Sequence, residues 1–521
     1  MKKYLLSISL GVFIASLSFT ASAQRFVSEV FPSASVTSNV VYGNNFTIFP
    51  SGVPTAQDLR MDVYEPSGMA DPMTERPLIL YFHTGSFIPA VANQNPTGGK
   101  TDSATVEMCK QFAKRGYVAA AVAYRQGWVP TDPDQDVRTG TLLQAVYRAI
   151  QDAKACIRYF RENAMNGGNT YKVDTNTIIL VGQGTGGYIA LATATLNRVA
   201  EIQLTKFLSQ SNNPTYGFQI GQPYVNQAAL GDFEGFGGFP NLNNPNNSPG
   251  HSTAVSFAVN MGGALGDSSW LEAGDVPMVA FHVTNDPFAP FGDGPVFVPT
   301  QPPQFVVDVS GSQTVITKAN LLGNNDCFRS AGFTDPYTMV ANGINGGEDG
   351  LFPLLRPVPP GAPGEAGPWE WYDSTALTVY AQAIGLSASA GTAAYMNGLA
   401  TNPDMSKAKA LAYIDTIQNY LNPRIAYCLA LPTGLNQVQA VNRSMTVFPN
   451  PSASSFTVSI QDKTAKIEML SLHDITGRTV WTDMNWSNTY KTYERGNLTG
   501  GIYILRVQTP EGAVSRRIVL N

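Results

Sequence analysis

Between Pro77 and Arg198 the sequence alternates short, uniformly apolar runs with longer runs at helical period. The short runs are PLILYFHTG, YVAAAVAYR and TIILVG, and the longer ones are DSATVEMCKQFAKRG, TLLQAVYRAIQDAKACIRYFRENA and GGYIALATATLNR. A strand that is apolar on both sides must be covered on both, and strands joined by helical crossovers lie parallel. The pattern predicts an α/β unit, a mostly parallel sheet with helices on both faces. Ahead of it, VVYGNNFTIFP and LRMDVYEPSG read as two antiparallel strands.

The flanks of this unit are less regular. From about 199 to 252 the chain is rich in Gly, Asn and Pro without a sustained period, which predicts an ordered insertion or cap. Strand-like runs resume at AVSFAVNMGG and VPMVAFHVTND, and the helix SKAKALAYIDTIQNYL closes the unit near Pro432. After a linker at 433–444, residues 445–521 hold short alternating strands separated by turn residues, the pattern of a small all-β sandwich.

At 521 residues the chain exceeds one average core, in keeping with more than one domain. Its 33 basic and 38 acidic residues give a net charge of −5 with no long run of either sign, so bulk electrostatics exclude nucleic acid as a partner. The first 23 residues have the layout of a secretory signal peptide: Lys2-Lys3, an apolar run from Tyr4 to Phe19, then Ala21-Ser22-Ala23. Cleavage after Ala23 would leave no transmembrane segment. Export permits disulfides. Cys109 and Cys156 lie in amphipathic runs and read as buried small hydrophobes, whereas Cys327 and Cys428 lie in loop-like contexts and are the favoured pair.

The tail resembles the type A C-terminal sorting domain of proteins exported by the type IX secretion system of Bacteroidota. The residues that carry the likeness are Phe448-Pro449-Asn450-Pro451, His473 to Arg478, Leu498 to Tyr503 and the basic ending Arg516-Arg517-Ile518-Val519. The resemblance implies that residues 445–521 engage the type IX machinery, passage through the periplasm, and release or anchoring at the outer-membrane surface.

The central unit resembles the carboxylesterase-like α/β-hydrolases from about Leu59 to Asp286. Leu59 to Pro66 looks like an early strand of that family, and His83-Thr84-Gly85-Ser86-Phe87 looks like its H-G-G-G-F oxyanion loop. Gly182-Gln183-Gly184-Thr185-Gly186-Gly187 looks like its G-x-S-x-G-G nucleophile elbow, and Pro277 to Asp286 looks like the strand that delivers the triad acid. Acyl transfer needs an activated oxygen on the elbow, a histidine, an acid that orients it, and N–H groups for the oxyanion. Here Gly184 stands at the nucleophile position. Asp286 stands where the acid emerges, although an Asp before Pro287 equally suits a turn.

Four histidines exist, and the family order is nucleophile, acid, histidine. His83 belongs to the oxyanion loop, His251 precedes the acid, and His282 lies within the acid's own strand. Only His473 follows Asp286, and it lies in the tail. The base is therefore expected to be absent along with the nucleophile. Around the vacated position, His83, Thr84, Gly85, Ser86, Gln183 and Thr185 are the expected pocket residues, and Ser86 is placed where its hydroxyl could reach the pocket. The Asp-rich stretch Thr131 to Asp136 reads as a solvated loop, and no metal site or cofactor is expected. These features predict an exported protein of hydrolase fold that binds an extracellular ligand or ester-like small molecule. The alternative is a carboxylic-ester hydrolase with unconventional residues.

Overall fold

The computed structural model describes residues 24–432 apart from 49–50, 72, 359 and 362, and residues 445–521 apart from 461–466, 487–488 and 510–511. The expected signal peptide and linker lie outside the described residues. The described chain falls into two units, one on either side of that linker.

In the first unit, β1 (Ser33–Thr47) pairs antiparallel with β2 (Thr55–Ser67), and β2 pairs antiparallel with the later strand Val118–Val122. From there the chain alternates: β3 (Arg76–Phe82), α1 (Ser103–Arg115), β4 (Val118–Val122), α2 (Gln135–Asn166), β5 (Val173–Gln183), α3 (Thr185–Thr195). The insertion follows, with the single-turn α4 (Gln227–Leu230), and then β6 (Phe257–Met261) and β7 (Met278–Val283). The hairpin β8 (Asp293–Val298) and β9 (Gln304–Ser310) and the helices α5 (Ser312–Leu321), α6 (Asp326–Ala331) and α7 (Pro336–Asn342) lead to β10 (Leu351–Leu354). Helices α8 (Ser374–Ala383), α9 (Ala388–Thr401) and α10 (Lys407–Cys428) complete the unit.

The eight-stranded sheet has the order β1-β2-β4-β3-β5-β6-β7-β10, parallel from β4 through β10. Its strands divide their side chains between two cores, as period-two geometry requires. Ile79, Tyr81, Ile179 and Val181 face α1 and α10, packing on Phe112, Ile417 and Leu421. Leu78, Leu80, Ile178 and Leu180 face the other way onto Ala149, Ile157 and Ile189 of α2 and α3.

Several readings acquire a physical reason. The stretch Thr131 to Asp136, expected as a solvated loop, instead runs into the first turn of α2: Asp134 accepts from the N–H of Asp136 as N-cap. Asp136 is buried and ties down the insertion by accepting from Ser209, Ser211 and Tyr224. Cys109 and Cys156 are buried and free. Cys327 and Cys428 form a disulfide with Cα atoms 5.4 Å apart, but both lie in helices and not in the loops expected for them. Helix α10 continues through Pro423 to Cys428, beyond the stretch its period marked.

In the second unit, β11 (Met445–Phe448), β12 (Ser455–Ile460) and β15 (Tyr490–Glu494) form one antiparallel sheet. The other contains β13 (Met469–Asp474), β14 (Thr479–Asp483), β16 (Gly501–Thr509) and β17 (Gly512–Leu520). Phe456, Val458, Leu470, Leu472, Leu505 and Ile518 fill the core they share.

The disulfide closes a loop of 101 residues, so its constraint on the unfolded chain is large. Replacing both Cys327 and Cys428 by Ala is expected to lower the unfolding free energy of the first unit by about 3–5 kcal/mol, measured by urea denaturation.

Candidate functional site

The elbow joins β5 to α3 at Gly184, whose φ of 52° and ψ of −117° lie in a region that strains any residue with a Cβ. Its neighbours are glycines because backbones meet there. A Cβ on Gly182 would lie 1.9 Å from the Gly186 carbonyl oxygen, and one on Gly186 would lie 2.0 Å from that of Phe82. One on Gly187 would lie 2.0 Å from Asn260 Oδ1. The Gly184 N–H donates to the Met261 carbonyl at 2.7 Å, fixing the apex against β6.

The place of a nucleophile side chain is filled from another element. A Cβ on Gly184 would stand 2.1 Å from Thr84 Oγ1 and 2.8 Å from Thr84 Cβ. The Thr84 hydroxyl therefore occupies the space in which a residue 184 side chain would begin. No hydrogen bond to it occurs among the described residues.

The loop carrying Thr84 runs through three successive residues with positive φ. Gly85, Ser86 and Phe87 have φ of 132°, 55° and 53°. Its anchors are the Phe87 side chain, buried against Tyr124, and the Asn93 amide, which donates to the Gly85 carbonyl. Ser86 is exposed, and the fold uses its carbonyl, which accepts from Trp128 Nε1 at 2.7 Å. The sequence placed its hydroxyl within reach of the pocket; the structure gives it no base. Thr185 Oγ1 pairs with the Tyr124 hydroxyl at 3.2 Å.

Each histidine has a partner away from the elbow apex. His83 is buried, stacks on Tyr124 and bonds through Nδ1 to the Thr84 carbonyl at 2.6 Å; burial holds its pKa down to about 4. A carbonyl only accepts, so Nδ1 carries the proton. His282 is wholly buried, 2.7 Å from Ser312 Oγ through Nδ1 and 3.2 Å from the Ala289 carbonyl through Nε2. The same logic puts its proton on Nε2, so Ser312 donates to Nδ1 while accepting from Asn260 Nδ2. Burial lowers the His282 pKa to about 4. His251 pairs with Glu162, and His473, in the second unit, lies between Ser471 and Thr479.

Asp286 serves the turn and faces the site. Its Oδ1 accepts from the N–H groups of Phe288 and Ala289 at 2.7 and 3.1 Å, and its Oδ2 is 3.7 Å from His282 Nε2. Ser312, His282 and Asp286 thus meet in the right chemical types for a triad, but Ser312 is fully buried and hydrogen-bonded on both sides. Burial raises the Asp286 pKa to about 7, against the pull of its two N–H donors.

Sequence reasoning missed the acids on the other side of the elbow. Gln183 is buried, accepts from the Tyr81 hydroxyl at 2.9 Å, and donates to Glu370 Oε1. Glu370 comes from the loop after β10, within the PWEWYD stretch, where Trp369 is buried in the core. Burial raises the Glu370 pKa to about 8, with the charges of Asp102 and Asp286 adding to the effect. Asp102, at the start of α1, accepts from the N–H groups of Gly98 and Gly99, and burial raises its pKa to about 7. The available signal was an acid set between two tryptophans.

A sheet in this order, with an elbow between β5 and α3 and an acid after β7, defines an esterase-like α/β-hydrolase. Residues 61–297 match the BD-FAE family model, and residues 446–521 match the secretion system C-terminal sorting domain. The chain therefore carries an esterase-like α/β-hydrolase domain and a type IX sorting domain, which directs export to the cell surface or the medium. Among solved structures, the native thermophilic esterase Est2 of Thermogutta terrifontis is 18% identical, covers 63% of this chain and 82% of its own, and has a TM-score of 0.32. The same esterase phosphorylated by paraoxon is 19% identical, with 62% and 83% covered and a TM-score of 0.33. No curated protein matches the chain. Among the described residues no helix is long and apolar enough to cross a membrane, and no three potential metal ligands cluster.

Glu370 keeps its proton in the folded protein through neutral pH but releases it in the unfolded chain near 4.5. Its stabilising contribution is thus complete below that value and is lost as pH rises through about 8. Asp102 and Asp286 act with the same sign. Stability is expected to fall between about pH 5 and 9, and Glu370→Gln should make that slope shallower in urea titrations across the range.

Proposed function

We propose that the hydrolase-fold domain of this exported protein binds a ligand at the former ester site and does not hydrolyse it. The observation that carries this reading is the elbow apex, where Gly184 has no side-chain oxygen and Thr84 fills the space of a side chain. An attacking hydroxyl needs a partner to take its proton, and all four histidines are committed elsewhere. The strained φ values at Ser86 and Phe87 support a retained ligand role. Such conformations cost of order 1–3 kcal/mol each and persist where a site requires them. The ligand is extracellular, since the sorting domain carries the protein out of the cell.

One observation favours hydrolysis by unconventional residues: the Thr84 hydroxyl stands close to where a nucleophile oxygen would be. Against it, no base hydrogen-bonds that hydroxyl among the described residues. The full chain is expected to turn over p-nitrophenyl acetate no faster than buffer. Gly184→Ser and the double variant Gly184→Ser/Thr84→Gly should be equally inert, the first for want of space and base and the second for want of the base alone. Turnover by the native chain that is lost in Thr84→Ala would establish the hydrolase reading instead.

A further inference from the structure

The hairpin of α8 and α9 is covered by the rest of the unit on its inner side alone. Its base is pinned: the Ala366 N–H donates to the Thr401 carbonyl at 3.0 Å, and the Asn402 amide donates to the carbonyls of Gly367 and Glu370 at 3.2 and 2.8 Å. On the inner side, Leu377, Ala381 and Ala394 pack with Val91 of the loop before α1. Gly391 brings the two helices together, since a Cβ there would lie 2.5 Å from the Leu377 carbonyl oxygen.

The outer side carries a second apolar stripe. Ala376, Val379, Tyr380 and Ala383 of α8 are exposed and recur at i, i+3, i+4 and i+7, the spacing of a helix face that packs on a core. Ala393, Met396 and Ala400 repeat a helical period on α9, and Ile384 and Leu386 stand exposed in the turn between the helices. Val379 is 62% exposed and Met396 59%, so the chain itself covers neither. From 374 to 403 there is no charged residue and no histidine. Exposed apolar side chains at a core-facing period, grouped on one hairpin, mark an interaction surface.

We propose that the α8–α9 hairpin is a self-association surface whose occupant is the same hairpin of a second copy of the chain, related by a two-fold axis. A two-fold contact sets each patch against its own image, so a charge in it would meet a like charge. A surface without charge is compatible with itself. Helices with apolar side chains at this period pack in antiparallel pairs, and two hairpins together give a four-helix arrangement. Lipid is the poorer match. A helix that lies on a membrane carries Lys or Arg on its polar face and large apolar residues such as Trp or Phe on the other, and this hairpin has none of the four. A charged protein partner would find no counter-charge on it. The inference is independent of whether the elbow hydrolyses its ligand.

The test is sedimentation velocity of the full chain at concentrations up to about 100 μM. A reversible dimer is expected. Val379→Glu and Met396→Glu each place a carboxylate on the paired surface and should weaken association about hundredfold or more. Both positions are exposed in the single chain, so the variants should keep the native circular dichroism. Leu321→Glu, at a residue 82% exposed outside the hairpin, should leave the dimer intact. A monomeric native chain, a dimer that survives both hairpin variants, or one lost equally in Leu321→Glu would overturn the proposal. So would flotation of the native chain with phosphatidylcholine vesicles that Val379→Glu abolishes, which would assign the hairpin to lipid instead.

Discussion

The close backbone crossing at the β5–α3 turn is the contact on which the rest of the site depends. Gly182, Gly186 and Gly187 let the turn approach the Phe82 carbonyl at the end of β3 and Asn260 of β6 to distances that any Cβ would forbid. Those approaches lock the apex over the carboxyl ends of the parallel strands, where ligands of open α/β sheets collect. Once they exist, the apex conformation is imposed whatever residue occupies it. Glycine meets that demand with little strain.

Two distant loops meet at the elbow. Thr84 fills the space beside the apex, and Glu370 arrives from the loop after β10 to accept from Gln183. Burial disfavours the charged form throughout the site: the buried histidines have depressed pKa values while three carboxyl groups have raised ones.

Much of this was legible in the sequence, and the part that was not has a common cause. Apolar runs such as TIILVG and the glycine pattern of the elbow are local signals, so the sheet and the turn at Gly184 could be read directly. The sorting unit was legible for the same reason, through short strands and spaced motifs. The histidines could be placed one by one because the chain has only four. What escaped depends on where distant loops land. Glu370 meets Gln183 across 187 residues, and Ser312 meets His282 across 30. The helices from α5 to α9 are short or poor in contrast between faces, so their period was hidden. Cys327 and Cys428 were paired correctly but placed in loops, because the ends of α6 and α10 carry little amphipathic signal.

The central claim is that no hydroxyl at this site is an activated nucleophile. The most direct measurement is intact-protein mass spectrometry after incubating the full chain with paraoxon, followed by peptide mapping. The unmodified mass is the predicted result. A stoichiometric phosphoryl adduct on Thr84, Ser86 or Thr185 would contradict the account.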